Sequence, residues 1–287
     1  RFGSYSLIIG LDGAIRVLSC AALWIAGVTN IGAYALTIAL SPVVGVLIAA
    51  FSGKLKTEPG PEATWAEVTP NLGWLLLGSL FAAALVNAGP ITVDILGHDA
   101  PPELVTRFGN AVILARIPLF LFQAVQAALL PRLARLAAQR KLSEFKRGIK
   151  QLLILVISVG VLGTIGAFVI GPWVLELVYD GGIDRRTMTL LAFASAIYML
   201  ALALAQAVIA LSGHARVALG WCAGFVTFVF VAWLSSNDLY LRVELALVAS
   251  SLVSLAIFMV SLKQKMSGDA IFDDASIIDA LAERPLE

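Results

Sequence analysis

Apolar runs of about twenty residues recur eight times along this chain, more than a water-soluble core of this size could bury. An α-helix rises 1.5 Å per residue, so about 20 mainly apolar residues cross the ~30 Å hydrocarbon layer of a bilayer. The runs are Leu7–Val28, Ile31–Ser52, Leu72–Leu96, Leu104–Leu130, Leu152–Val174, Met188–Leu211, Ala215–Leu234 and Val243–Leu262. Composition agrees: 60% of residues are hydrophobic and 14% charged, where soluble domains carry about a quarter charged. A membrane barrel would need ~10-residue alternating segments, which this sequence lacks. The expected fold is therefore all-α, a polytopic membrane helix bundle of about eight transmembrane helices.

Orientation follows from positive charge, because cytoplasmic loops carry the Lys/Arg excess. Lys54 and Lys56 follow the second run, and Arg132, Arg135, Arg140, Lys141, Lys146, Arg147 and Lys150 follow the fourth. Arg216 lies between the sixth and seventh, and Lys263 and Lys265 follow the eighth. The opposite side has Arg107, Arg185, Arg186 and Arg242, so both chain ends are expected in the cytoplasm. Residues 54–70, rich in Pro, Gly and charge, read as a linker between 1–53 and a six-helix block over 71–266. The basic stretch Ala134–Lys150 reads as helix-permissive, lying along the anionic leaflet or extending the fourth helix into water. Residues 267–287 form an acidic tail, disordered or loosely helical. Cys20 and Cys222 sit in apolar runs as small hydrophobes.

Polar side chains at membrane depth each need a reason, since a charge at a helix centre costs about 2.5–3.5 kcal/mol on insertion scales. Asp12 and Arg16, four apart, can pair along one helix face, either as a self-neutralising couple or in a cavity. Arg116 and Gln123 are seven apart, with Gln126 nearby, and Pro118 frees the carbonyl of Leu114. One side of that helix then faces a polar interior, unless Arg116 snorkels to the surface. Asn87 and Asp94 repeat the seven-residue spacing around Gly89-Pro90, with Asp94 alternatively an exposed cap. Gln206 lies on the face of Ser195 and Met199. Gly160, Gly163, Thr164, Ala167 and Gly171 have the small-residue spacing of close helix packing. Kinked helices with polar interior stripes suit an alternating-access transporter.

Three stretches carry a family resemblance: "NAGP" at 87–90, "LARIPLFLFQAVQAALLPRLARL" at 114–136, and "LELVYDGG" at 175–182 followed by "ALSGHARVALG" at 210–220. In their order and spacing the chain resembles the polysaccharide and lipid-linked oligosaccharide flippases of the multidrug/oligosaccharidyl-lipid/polysaccharide exporter superfamily. That resemblance implies two six-helix lobes around a central cavity. The first two helices here would close the N-terminal lobe and the other six would form the C-terminal lobe, with four opening helices missing. It implies movement of a lipid-linked sugar from the inner to the outer leaflet of the bacterial plasma membrane. Arg16 and Arg116 would attract the pyrophosphate, and Gln123, Gln126 and Asn87 would offer hydrogen bonds to the sugar. Membrane lipids and proteins of cell-envelope glycan synthesis are the implied partners.

Other readings remain. A cation-coupled drug exporter of the same superfamily would use Asp12 and Asp94 to carry the coupling charge. A non-transporting scaffold in cell-envelope assembly would keep the bundle without a route through it. An enzyme is disfavoured, because His98 and His214 fall in loops on opposite sides and no acidic pair shares a membrane-depth face. The sequence therefore predicts no catalytic residue, metal, cofactor or nucleic-acid partner.

Overall fold

The computed structural model describes residues 2–52, 65–98, 101–139, 141–179 and 182–282; at 2–9, 65–68, 70–71, 123–132 and 268–282 it describes the backbone alone. Among the described residues there are nine α-helices and no strand: α1 (Phe2–Ile25), α2 (Ile31–Phe51), α3 (Trp65–Leu96), α4 (Pro102–Ala115), α5 (Ile117–Ala138), α6 (Leu142–Tyr179), α7 (Arg185–Ala210), α8 (His214–Leu234) and α9 (Leu239–Ala282). Seven of the described helical stretches are long and apolar enough to cross a membrane, with α4 and the start of α5 counted together. The other expected crossing, Leu7–Val28, falls on α1. The chain is an all-α polytopic bundle and an integral membrane protein. Helices divide into two compact units, Arg1–Ala63 and Thr64–Glu287.

In the first unit α1 packs along α2. Asn30 caps α2 by accepting from the Gly32 amide at 2.8 Å. Ser41, Gly45 and Ala49, four apart, are the buried residues of α2. Side chains this small let two helix backbones approach closely, which is how helices associate where no hydrophobic force separates lipid from protein.

In the second unit α7 is the central helix, with 61% of its membrane-length window buried. It packs on α6 and α9 and touches α4, α5 and α8. The expected close packing of α6 is present: Gly160 sits against Ala196 and Gly171 against Met188, both on α7, while Gly163 meets Pro118 of α5. On the other side, Trp221 of α8 lies 5.0 Å, ring to ring, from both Tyr198 of α7 and Phe258 of α9. Gly220 and Gly224 bring α9 close enough for the Ser254 hydroxyl to donate to the Gly220 carbonyl at 3.1 Å. Cys20 and Cys222 are free thiols.

Three boundaries differ from the sequence reading. The last third of the expected linker, residues 65–70, is helical, since α3 starts at Trp65; residues 53–64 lie outside the described residues. Pro70 falls one turn into α3, where a missing amide interrupts few backbone bonds. The expected continuous helix Leu104–Leu130 breaks at Arg116, which has φ −96° and ψ 0° and donates its amide to Ile113. Pro118 explains the break: its ring clashes with the carbonyl four residues back, so regular helix cannot run through Leu114. The basic stretch Ala134–Lys150 is divided between the end of α5 and the start of α6, so its first residues extend the fourth expected helix. Leu133 and Phe145 are buried where α5 packs on α6, and Leu133 touches Gly148. With 38 residues, α6 is about 57 Å long, nearly twice the hydrocarbon thickness. In the tail the helical backbone of α9 continues to Ala282.

Candidate functional site

Two polar clusters stand out against the apolar helices, one in each unit. In the first, the Arg16 guanidinium meets Asp12 one turn before it, at 2.9 Å for Nη2 to Oδ2 and 3.0 Å for Nε to Oδ1. Arg16 Nε also donates to Ser41 Oγ at 2.9 Å, and the Ser41 hydroxyl donates to Asp12 Oδ1 at 2.6 Å. A local reason puts Ser41 there. Pro42 has no amide to give the Ile38 carbonyl, and the Ser41 hydroxyl lies 3.1 Å from that orphaned oxygen. The pair is thus a triad, closed by the buried face of α2. Arg16 nevertheless keeps 43% of its side chain exposed within this unit, against 24% for Asp12.

In the second unit Arg116 stands at the junction of α4 and α5 and turns inward. Its Nη2 donates to the Val86 carbonyl of α3. That oxygen is available because the amide four residues on, which would close the helical bond, belongs to Pro90. One turn earlier on α3, the Ala82 carbonyl accepts from the Tyr198 hydroxyl at 3.2 Å. Arg116 and Tyr198 therefore grip successive turns of α3. Between them lies a cavity of about 30 Å³, lined in part by Val86, Arg116, Ser195, Tyr198, Leu247 and Ser251. It has room for one water and for nothing the size of a sugar.

The remaining predicted site residues are not drawn into this cluster. Asn87 is exposed and donates to its own helix, at the Ala83 carbonyl, 2.9 Å away. Asp94 is exposed near the end of α3, which runs unbroken through Gly89-Pro90. Gln206 is half-buried on α7. The side chains of Gln123 and Gln126 lie outside the described residues. Their expected alignment with Arg116 is corrected by the break, because a seven-residue spacing marks one face only along a continuous helix. The Leu114 carbonyl freed by Pro118 is likewise not the partner Arg116 takes.

Comparison with known proteins bears on this arrangement. Similar folds occur in MATE in the bent conformation (TM-score 0.69, 11% identity, 93% of this chain and 63% of that one) and in VcmN of Vibrio cholerae in the bent form (0.64, 12%, 90% and 62%). A third is an outward-facing multidrug resistance MATE family transporter of the MOP superfamily (0.66, 12%, 92% and 62%). The chain has the MATE fold. No family model matches it. In sequence it is 29% identical over 275 residues to uncharacterized proteins of Mycobacterium bovis and Mycobacterium tuberculosis, matching 91% of this chain and 60% of each of those proteins. The chain thus spans about three-fifths of the length of these relatives.

Within the MATE fold, the sequence reading missed the residues that complete each cluster. Ser41 was legible as a polar residue directly before a helix-interior proline, and Val86 as the residue four before Pro90. Tyr198 and Ser251 gave no such signal, lying in long apolar helices with no proline beside them. Glu244 was also missed, because it sits one residue into an expected span and reads as a helix start.

Proposed function

We propose that this chain is part of a membrane transporter that works by alternating access, with a lipid-linked oligosaccharide or polysaccharide precursor as its cargo. Cargo would pass from the inner to the outer leaflet of a bacterial plasma membrane, while its lipid tail stays among the membrane lipids. The MATE fold over 93% of the chain supports transport. The observation that carries the anionic cargo is Arg16, a guanidinium held in place by Asp12 and Ser41 yet 43% exposed within its unit. A preorganised guanidinium can make further charge-assisted hydrogen bonds to a phosphate oxygen without losing its own support. Exposed Arg135, Lys141, Lys146, Arg147 and Lys150, where α5 ends and α6 begins, would attract the same anionic headgroups. Asn87 and Asp94, exposed on α3, remain candidates for sugar contact, whereas Arg116 serves as a strut to α3.

A second reading, a cation-coupled drug exporter of the same superfamily, is favoured by Asp12, a membrane-depth carboxylate that a substrate cation or proton could take from Arg16. The full-length gene product decides between them. Restored lipid-linked sugar export in a flippase-deficient strain, cut about tenfold by Arg16→Ala at unchanged membrane insertion, is the expected result; one charged hydrogen bond corresponds to that factor. Efflux of a cationic dye that Asp12→Asn abolishes, with no restoration of sugar export, would overturn the cargo assignment.

A further inference from the structure

At the end of the second unit where α7 and α9 begin, three acidic side chains surround one arginine. Asp238 opens α9 and accepts from the amides of Tyr240 and Leu241 at 3.0 and 3.1 Å. Asp184 opens α7 and accepts from the Thr187 amide at 3.4 Å. Arg186 reaches Asp238 with Nη2 at 3.1 Å, while its Nε is 3.7 Å from Asp184. Beneath this exposed pair lies Glu244, one and a half turns into α9 and 0% exposed. Neither of its carboxyl oxygens has a hydrogen-bond partner, and the Thr187 hydroxyl beside it, also 0% exposed, has none either. Arg186 Nε is 3.9 Å from Glu244 Oε2, outside hydrogen-bond range.

Burial of an ionised carboxylate with no donor at either oxygen is the costly arrangement that proteins avoid by neutralising the group. A metal cation would need several more oxygens in its shell, and here a guanidinium stands on one side. Among the described residues no cluster of three or more His, Cys, Asp or Glu side chains forms a metal site. A proton needs no shell. The surrounding ionisable groups are few: Arg186 and Asp184 from α7, and Asp238 from the start of α9. Arg242 is engaged with the Ser236 carbonyl at 2.6 Å. Tyr240 donates to the Leu104 carbonyl of α4 at 2.7 Å. Asp94 and His98 near the end of α3, and Glu103 and Arg107 on α4, are exposed, and α8 has no ionisable residue at this end.

We propose that Glu244 is a proton-binding site of the α7–α9 pair, neutral while Arg186 is held by Asp238 and emptied when Arg186 changes partner. On release the proton passes to water at the exposed rim. The guanidinium then moves from Asp238 to the new carboxylate, and the Thr187 hydroxyl donates to it. Charge is conserved within the cluster at each end of the switch except for the proton itself. The site is independent of the transport reading, and its test needs no substrate.

Infrared difference spectroscopy on the full-length protein in liposomes reads the proton directly, through the carbonyl stretch of a protonated carboxylic acid. The band is expected at neutral pH and absent in Glu244→Gln. That variant should melt within a degree or two of the native protein, because an amide replaces a neutral acid of the same shape. In Arg186→Gln, with Glu244 intact, the band should persist to at least tenfold lower proton concentration, since the cation that rewards deprotonation is gone. A tenfold change in sodium should leave the midpoint unmoved. A band unchanged by Glu244→Gln, a large loss of stability in that variant, no displacement in Arg186→Gln, or a sodium-dependent midpoint would each overturn the proposal.

Discussion

Removing both Arg116 and the proline that makes it necessary tests whether Arg116 is a strut. In the native chain the Val86 carbonyl has no helical donor, because position 90 is proline, and Arg116 supplies one. Arg116→Met leaves that oxygen orphaned, at a cost of about 1–3 kcal/mol. The same change relieves the burial of a charge, which insertion scales put at about 2.5–3.5 kcal/mol. These terms oppose each other, so the sign of the single variant decides nothing. Pro90→Ala restores the amide, and the carbonyl is then satisfied within α3 whether or not arginine is present. A double-mutant cycle of Arg116→Met with Pro90→Ala isolates the bond, because charge burial and proline propensity each cancel. Hydrogen bonds to charged groups are worth ~1.5–3 kcal/mol in water, and interhelical ones in membranes reach ~1.7 kcal/mol. The expected coupling is therefore about 1–2 kcal/mol, with Arg116→Met less costly in the Pro90→Ala background. Reversible unfolding by SDS titration in mixed lipid–detergent micelles measures all four corners of the cycle. Additivity within about 0.5 kcal/mol would show that Arg116 does not stand in for the missing amide.

Three further outcomes follow from the structure. Gly220→Ala drives a methyl group into the buried Phe258 ring, which Trp221 holds from the other side, and should cost about 1–3 kcal/mol in the same unfolding assay. Gly13→Ala, whose new methyl group meets nothing, should be neutral or slightly stabilising. At the α9 start, the Leu241 amide and then Arg186 hold the Asp238 carboxyl below the usual carboxylate range. Its folded-state value lies under its unfolded one, so its contribution is complete at neutral pH and disappears as pH falls below about 4. The stability difference between the native protein and Asp238→Asn should accordingly shrink through that acid range; a difference that persists unchanged into strong acid would contradict the capping role.

The candidate site was legible in part, and the residues show why. Asp12 and Arg16 were readable as a pair because four residues of helix fix their separation without help from any other element. Their third member, Ser41, lies 25 residues beyond Arg16 on another helix, and only the packing of α1 on α2 brings it into reach. Arg116 was singled out beside Pro118, but the carbonyl it meets is the one freed by a different proline, Pro90. Asn87 shows the converse: its position on α3 was right, yet its side chain turns to its own backbone. Glu244 escaped notice because a carboxylate near a helix start is ordinarily solvated, and its burial is a property of α7 and α9 together.

Length and apolarity alone determined that this protein is a membrane bundle of helices, because lipid offers the backbone no hydrogen-bond partner and a helix satisfies itself within one segment. Prolines, also local, determined which carbonyls would lack a donor. What answers them is partly local and partly tertiary. Ser41 stands beside the Ile38 carbonyl on the same helix, but it meets Asp12 and Arg16 only once α1 lies on α2, and Arg116 reaches the Val86 carbonyl only once the α4–α5 junction lies on α3.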